Sequence, residues 1–173
     1  MRFDVFQRDA GLPHRLVPFT TTLLFAIISE VPLHIPAFSI VTPAFTLMAV
    51  YHWTIYRSDL LPPIAVFAVG MLVDLLNGTQ YIGTSSLTLL LVRSALLSQR
   101  RFLVNRPFPI LWSGFLLVTA AVLFFEWGLV SFLHGETLGS QPFIFEALMT
   151  VASFPVGSYL LAWTQRGFLM RGA

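Results

Sequence analysis

Six apolar runs, 16–31, 36–56, 62–77, 82–98, 107–133 and 143–163, follow one another along this chain with only short polar links between them. That division leaves no segment for a soluble domain, and about 20 apolar residues are what a helix needs to cross a bilayer. Backbone polar groups in lipid must be satisfied within their own segment, so the runs are predicted to be helices. Composition points the same way: hydrophobic residues are 56% of the 173 and charged residues 10%, with a mean hydropathy of +0.79. Soluble domains carry roughly 25% charged residues. The expected fold is therefore all-α, a polytopic integral membrane protein with six transmembrane helices in a single transmembrane domain over 1–173.

The run boundaries carry local signals. A polar arm with Arg2, Arg8 and Arg15 against Asp4 and Asp9 precedes the first run. It resembles the opening of a signal peptide, but Glu30, Pro32 and His34 follow in place of a small-residue cleavage site, which predicts a retained span. The second run ends in Tyr51, His52, Trp53 and Tyr56, ring types that settle at headgroup depth. Pro62 and Pro63 open the third run and Asn77-Gly78 closes it as a turn signal. Residues 98–106, with Arg100, Arg101 and Arg106, read as the most basic loop in the chain.

Arginine placement tests the span count. All ten basic residues are arginine. With both termini cytoplasmic, Arg2, Arg8, Arg15, Arg57, Arg100, Arg101, Arg106, Arg166 and Arg171 share one side, and the three opposite links carry no arginine. That is the positive-inside pattern of a cytoplasmic membrane, and five or seven spans would spoil it. Arg93 alone lies within a run.

Several chemistries are excluded or disfavoured. There is no cysteine, hence no disulfide, thiolate nucleophile or thiolate metal site. His14, His34, His52 and His134 sit in separate segments with no second ligand at helical spacing, so no metal is expected. No hydrolase elbow accompanies Thr84, Ser85 and Ser86, and the serines read as caps for the fourth helix. The glycines between Gly70 and Gly83 lack the strand and the lysine of a phosphate loop. The arginines are too scattered for nucleic acid, and no cofactor is indicated.

The remaining anomalies are carboxylates inside apolar runs. A charge at the centre of a membrane helix costs about 2.5–3.5 kcal/mol on insertion scales, so Asp74, Glu126 and Glu146 are predicted to face protein or water. All three fall in the outer halves of their helices, at similar depth. Phe67, Gly70, Asp74 and Asn77 share one helical face, where the glycine admits a close neighbour. Glu146, Thr150, Ser153 and Gly157 form a second polar and small stripe, Thr119 with Glu126 a third, and Ser86 with Arg93 a fourth. Two readings stay open: interhelical contacts, including an Asp74–Arg93 pair, or a substrate or proton path. Arg93 has a further option, reaching to the headgroups.

Phe67-x-x-Gly70-x-x-x-Asp74-Leu75-Leu76-x-Gly78, a short link to Gly83 and a fourth apolar helix together resemble the bacterial rod shape-determining protein MreD family. The resemblance extends back to Tyr51-His52-Trp53 and forward to residues 98–103 and Trp112-x-Gly114-Phe115, about the middle third of the chain. The link 79–82 is one residue longer than the usual family turn. The resemblance implies a non-enzymatic inner-membrane component of the cell-elongation machinery that associates with an MreC-like periplasmic protein and acts with MreB, RodA and a penicillin-binding transpeptidase. It supplies no catalytic residue. Gly70, Asp74, Gly78, Gly83, Arg93, Glu126 and Glu146 stand as structural or partner-binding candidates, and Arg100, Arg101 and Arg106 as a cytoplasmic basic surface. The alternative is the substrate-binding membrane subunit of a small-molecule, vitamin-type transporter, whose mark would be polar and aromatic residues converging from several outer helix ends on one pocket.

Overall fold

The computed structural model describes residues 12–30, 43–78, 82–104, 106–134 and 141–165. The expectations placed on Arg2, Arg8, His34, residues 79–81, Arg166 and Arg171 lie outside the described residues. Within them the chain is all-helical, with α1 (Leu12–Glu30), α2 (Phe45–Arg57), α3 (Pro63–Asn77), α4 (Thr84–Leu103), α5 (Phe108–His134) and α6 (Gln141–Thr164). Two helices are long and apolar enough to cross a membrane, over Phe108–Leu129 in α5 and Ile144–Thr164 in α6; Val17–Glu30 and Pro63–Asn77 are shorter apolar helices.

Proline at the start and glycine just past the end frame α3. Pro62 and Pro63 give up no hydrogen bond at a helix N-terminus, where the first N–H groups have no intrahelical partner. At the other end Gly78 takes a left-handed φ of 59° and its N–H donates to the Leu75 carbonyl. Of the second run, residues 36–42 lie outside the described residues, and the helix within the described part spans Phe45–Arg57. One expected boundary moves: α4 continues to Leu103, so Arg100 and Arg101 stand on the last turn of a helix and not on a loop. Basic side chains there complement the partial negative charge of a helix C-terminus.

Every residue from Thr46 to Ile55 is buried, which makes α2 the axis of the bundle. It packs against α1, α4, α5 and α6, while α3 lies on α1 and α4, and α5 bridges α4 and α6. Small residues admit it: a Cβ on Gly157 would meet Met48 Sδ at 2.8 Å, and one on Gly114 would meet the Tyr51 hydroxyl at 2.9 Å. Large apolar side chains also cover the outside, among them Ile64, Met71 and Leu75 of α3 and Leu117, Phe124 and Phe132 of α5.

Candidate functional site

The third and fourth helices form a hairpin locked by one carboxylate. Asp74, 1% exposed, lies in the last turn of α3. Its Oδ2 accepts the Gly83 N–H at 2.7 Å and its Oδ1 accepts the Ser85 N–H at 3.1 Å. These are first-turn donors of α4, which have no partner inside their own helix, and the carboxylate meets the positive end of the helix dipole. Gly83 holds a φ of 107°, a conformation strained for any residue with a side chain, and its N–H meets Asp74. The cap of α4 thus comes from the neighbouring helix, which corrects the expectation of a serine cap. Ser86 instead donates its hydroxyl to the Phe67 carbonyl at 3.1 Å.

Gly70 lies where α3 crosses α4. A Cβ there would overlap the Ser86 backbone, reaching its nitrogen at 2.6 Å and pressing on its Cα. Only glycine permits this approach, and the approach brings Asp74 to the start of α4. Phe67 departs from the expected face: its ring is 45% exposed and only its carbonyl takes part.

Arg93 neither reaches Asp74 nor leaves the protein. Its Nε donates to the Leu61 carbonyl at 3.1 Å and a terminal nitrogen to Ser58 at 3.4 Å. One heptad on, Arg100 donates to the Ile55 carbonyl at 2.8 Å and the Ser58 hydroxyl at 2.9 Å. Two guanidinium groups on one face of α4 therefore cap the C-terminus of α2 and its turn into α3. Arg101 and Arg106 are exposed, with Arg106 folded onto the Phe102 carbonyl.

At the opposite end, all six helices contribute to one polar pocket of about 160 Å³. Glu30 of α1, Thr46 of α2, Asn77 of α3, Ser85 of α4, Glu126 of α5 and Glu146 of α6 line it. Glu126 lies near Glu146 and Asp74, and Glu146 lies near Glu30. Thr150 of the polar α6 stripe accepts the Ala44 N–H at 3.0 Å, and Ser29 accepts the Thr46 N–H at 3.3 Å. The first turn of α2 is thereby held from both sides.

The polar aromatic groups that end the second run have roles that sequence reasoning missed. Tyr51, His52 and Trp53 are buried between helices, not spread on a surface. Tyr51 donates to the Leu111 carbonyl at 2.9 Å, Trp53 Nε1 donates to Thr21 Oγ1 at 3.0 Å, and His52 Nε2 pairs with Gln165 Oε1 at 3.2 Å. The physical reason is that α2 is enclosed, so each polar tip finds its partner on a neighbouring helix. Tyr51, His52 and Phe154 also line a larger, mostly apolar cavity of about 430 Å³ between α2, α5 and α6. Among the described residues, no three histidine or carboxylate side chains come together as a metal site. Comparison with protein-family models, characterised proteins and solved structures returns no match.

Proposed function

We propose that this chain is a six-span, non-enzymatic component of a bacterial inner membrane, of the MreD kind, that helps organise lateral-wall synthesis by binding an MreC-like partner. The observation that carries the proposal is the α3–α4 hairpin. The residues on which the resemblance rests, Gly70, Asp74, Gly78 and Gly83, are spent on its shape: one close crossing, two left-handed turns and one cross-helix cap. The lock leaves Ile64, Phe67, Met71 and Leu75 as an apolar stripe at helical spacing on the outer face of α3. A rigid hairpin presenting such a stripe suits a protein that works by holding another membrane helix. The arginine asymmetry supports cytoplasmic termini, with Arg101 and Arg106 exposed for contacts on that side. Asp74→Asn and Gly70→Leu, made separately, are expected to weaken co-purification of the MreC-like partner and to round the cells. Normal association and rod shape in both variants at normal protein levels would sink the proposal.

One observation favours the carrier as a second reading, namely the polar pocket to which every helix contributes. A small molecule recovered from the purified protein by mass spectrometry, and lost on Glu126→Gln, would support it; an empty protein would reject it.

A further inference from the structure

The pocket at the α2 N-terminus gathers carboxylates. Glu30, Glu126 and Glu146 line it, with Asn77 beside Glu30, and no arginine or histidine is among the described lining residues. Arg93 and Arg100 are committed to the far end of α2. The helix-end donors that would attract a carboxylate here are taken: Asp74 holds the first turn of α4, while Ser29 and Thr150 hold that of α2. A second observation points to a ligand. Thr46, 7% exposed, lines the same pocket, and its Oγ1 has no hydrogen-bond partner. A buried, unpaired hydroxyl on the wall of a pocket can accept from a donor bound there.

We propose that this pocket binds a small organic cation with N–H donors, an ammonium or guanidinium group. Its chemistry selects that class. A metal ion would need three ligands close together, and the described side chains offer no such group. A quaternary ammonium would need aromatic faces, and the described lining residues include none. Carboxylates, the Thr46 hydroxyl and the Asn77 amide are instead acceptors spread around a volume of about 160 Å³, suited to several N–H donors diverging from one charged centre. The site is independent of the partner-binding proposal and rests on the pocket that favours the carrier reading, for which it names the class of ligand.

The test is calorimetric titration of the full chain in nanodiscs, with ethylammonium, methylguanidinium, sodium and magnesium as probes at matched ionic strength. Saturable binding of either organic cation, without comparable binding of sodium or magnesium, is expected. Glu126→Gln and Glu146→Gln each weaken it at least tenfold. The near-isosteric Thr46→Val weakens it several-fold while keeping the fold, and Asp59→Asn at the other end leaves it unchanged. Two lipid arms identify the source: binding seen in phosphatidylglycerol discs but blocked in phosphatidylethanolamine discs assigns the ammonium to the headgroup, and binding in both assigns it to a free solute. Absence of saturable binding by the native chain in both discs, preference for magnesium, or wild-type binding by folded Glu126→Gln and Glu146→Gln would overturn the proposal. Cell-shape assays read none of these outcomes, so failure here leaves the partner-binding proposal separately testable.

Discussion

Asp74 shows how a costly residue becomes a structural one. Placed in an apolar hairpin, its charge is offset by two backbone donors at a helix N-terminus, and hydrogen bonds to charged groups contribute about 1.5–3 kcal/mol each. Asp74→Asn keeps an acceptor but loses the charge, and is expected to cost about 1–3 kcal/mol, read as a lower thermal midpoint in detergent. Asp74→Ala costs more, because it orphans the Gly83 and Ser85 N–H groups. The glycines separate cleanly by environment. Gly70→Ala drives a methyl into the Ser86 backbone and is expected to destabilise by about 1–3 kcal/mol, whereas Gly128→Ala, with open space around it, is neutral or stabilising by up to ~1 kcal/mol. Equal midpoints for the two variants would contradict the crossing geometry. That Asp74 faced protein and Gly70 admitted a neighbour was legible in sequence from cost and size alone. The partner was not: a backbone N–H nine residues onward is invisible to an inventory of charged side chains, which offered Arg93 instead.

At the scale of elements, the arginines of α4 fasten α2. Their guanidinium groups reach the carbonyls of Ile55, Ser58 and Leu61, groups that a helix C-terminus and the following turn leave without helical partners. Arg100→Met is expected to lower stability by about 1–3 kcal/mol, and Arg100→Lys to restore only part of it, since lysine lacks the fork that addresses Ile55 and Ser58 together. Hydrogen exchange should quicken first at the α2–α3 turn; unchanged exchange there in Arg100→Met would contradict this fastening. The six helices and most of their boundaries followed from run length and from proline and glycine positions. The central place of α2 did not, because an apolar run looks the same whether lipid or protein surrounds it. Tyr51, His52 and Trp53 consequently read as a membrane-surface belt, although each has a partner inside the bundle.

The whole molecule is a helical bundle with an apolar exterior and two polar ends of opposite character. Arginines bind carbonyls at one end and carboxylates gather at the other. The absence of cysteine makes sidedness directly measurable. Single cysteines at Asp59 and Arg101 should label only from the cytoplasm and one at Ile82 only from outside; any other pattern would contradict the proposed six-span topology. The polar pocket was only half legible, since the depths of Asp74, Glu126 and Glu146 predicted a shared level but not that Glu30 and Thr46 join it. Their convergence depends on helix order in space, which no linear spacing carries. Depleting the protein from a rod-shaped bacterium that carries it, with cell outline followed by microscopy, decides the proposed role. Rods are expected to widen and become round as the protein falls; unchanged width after complete depletion would rule that role out.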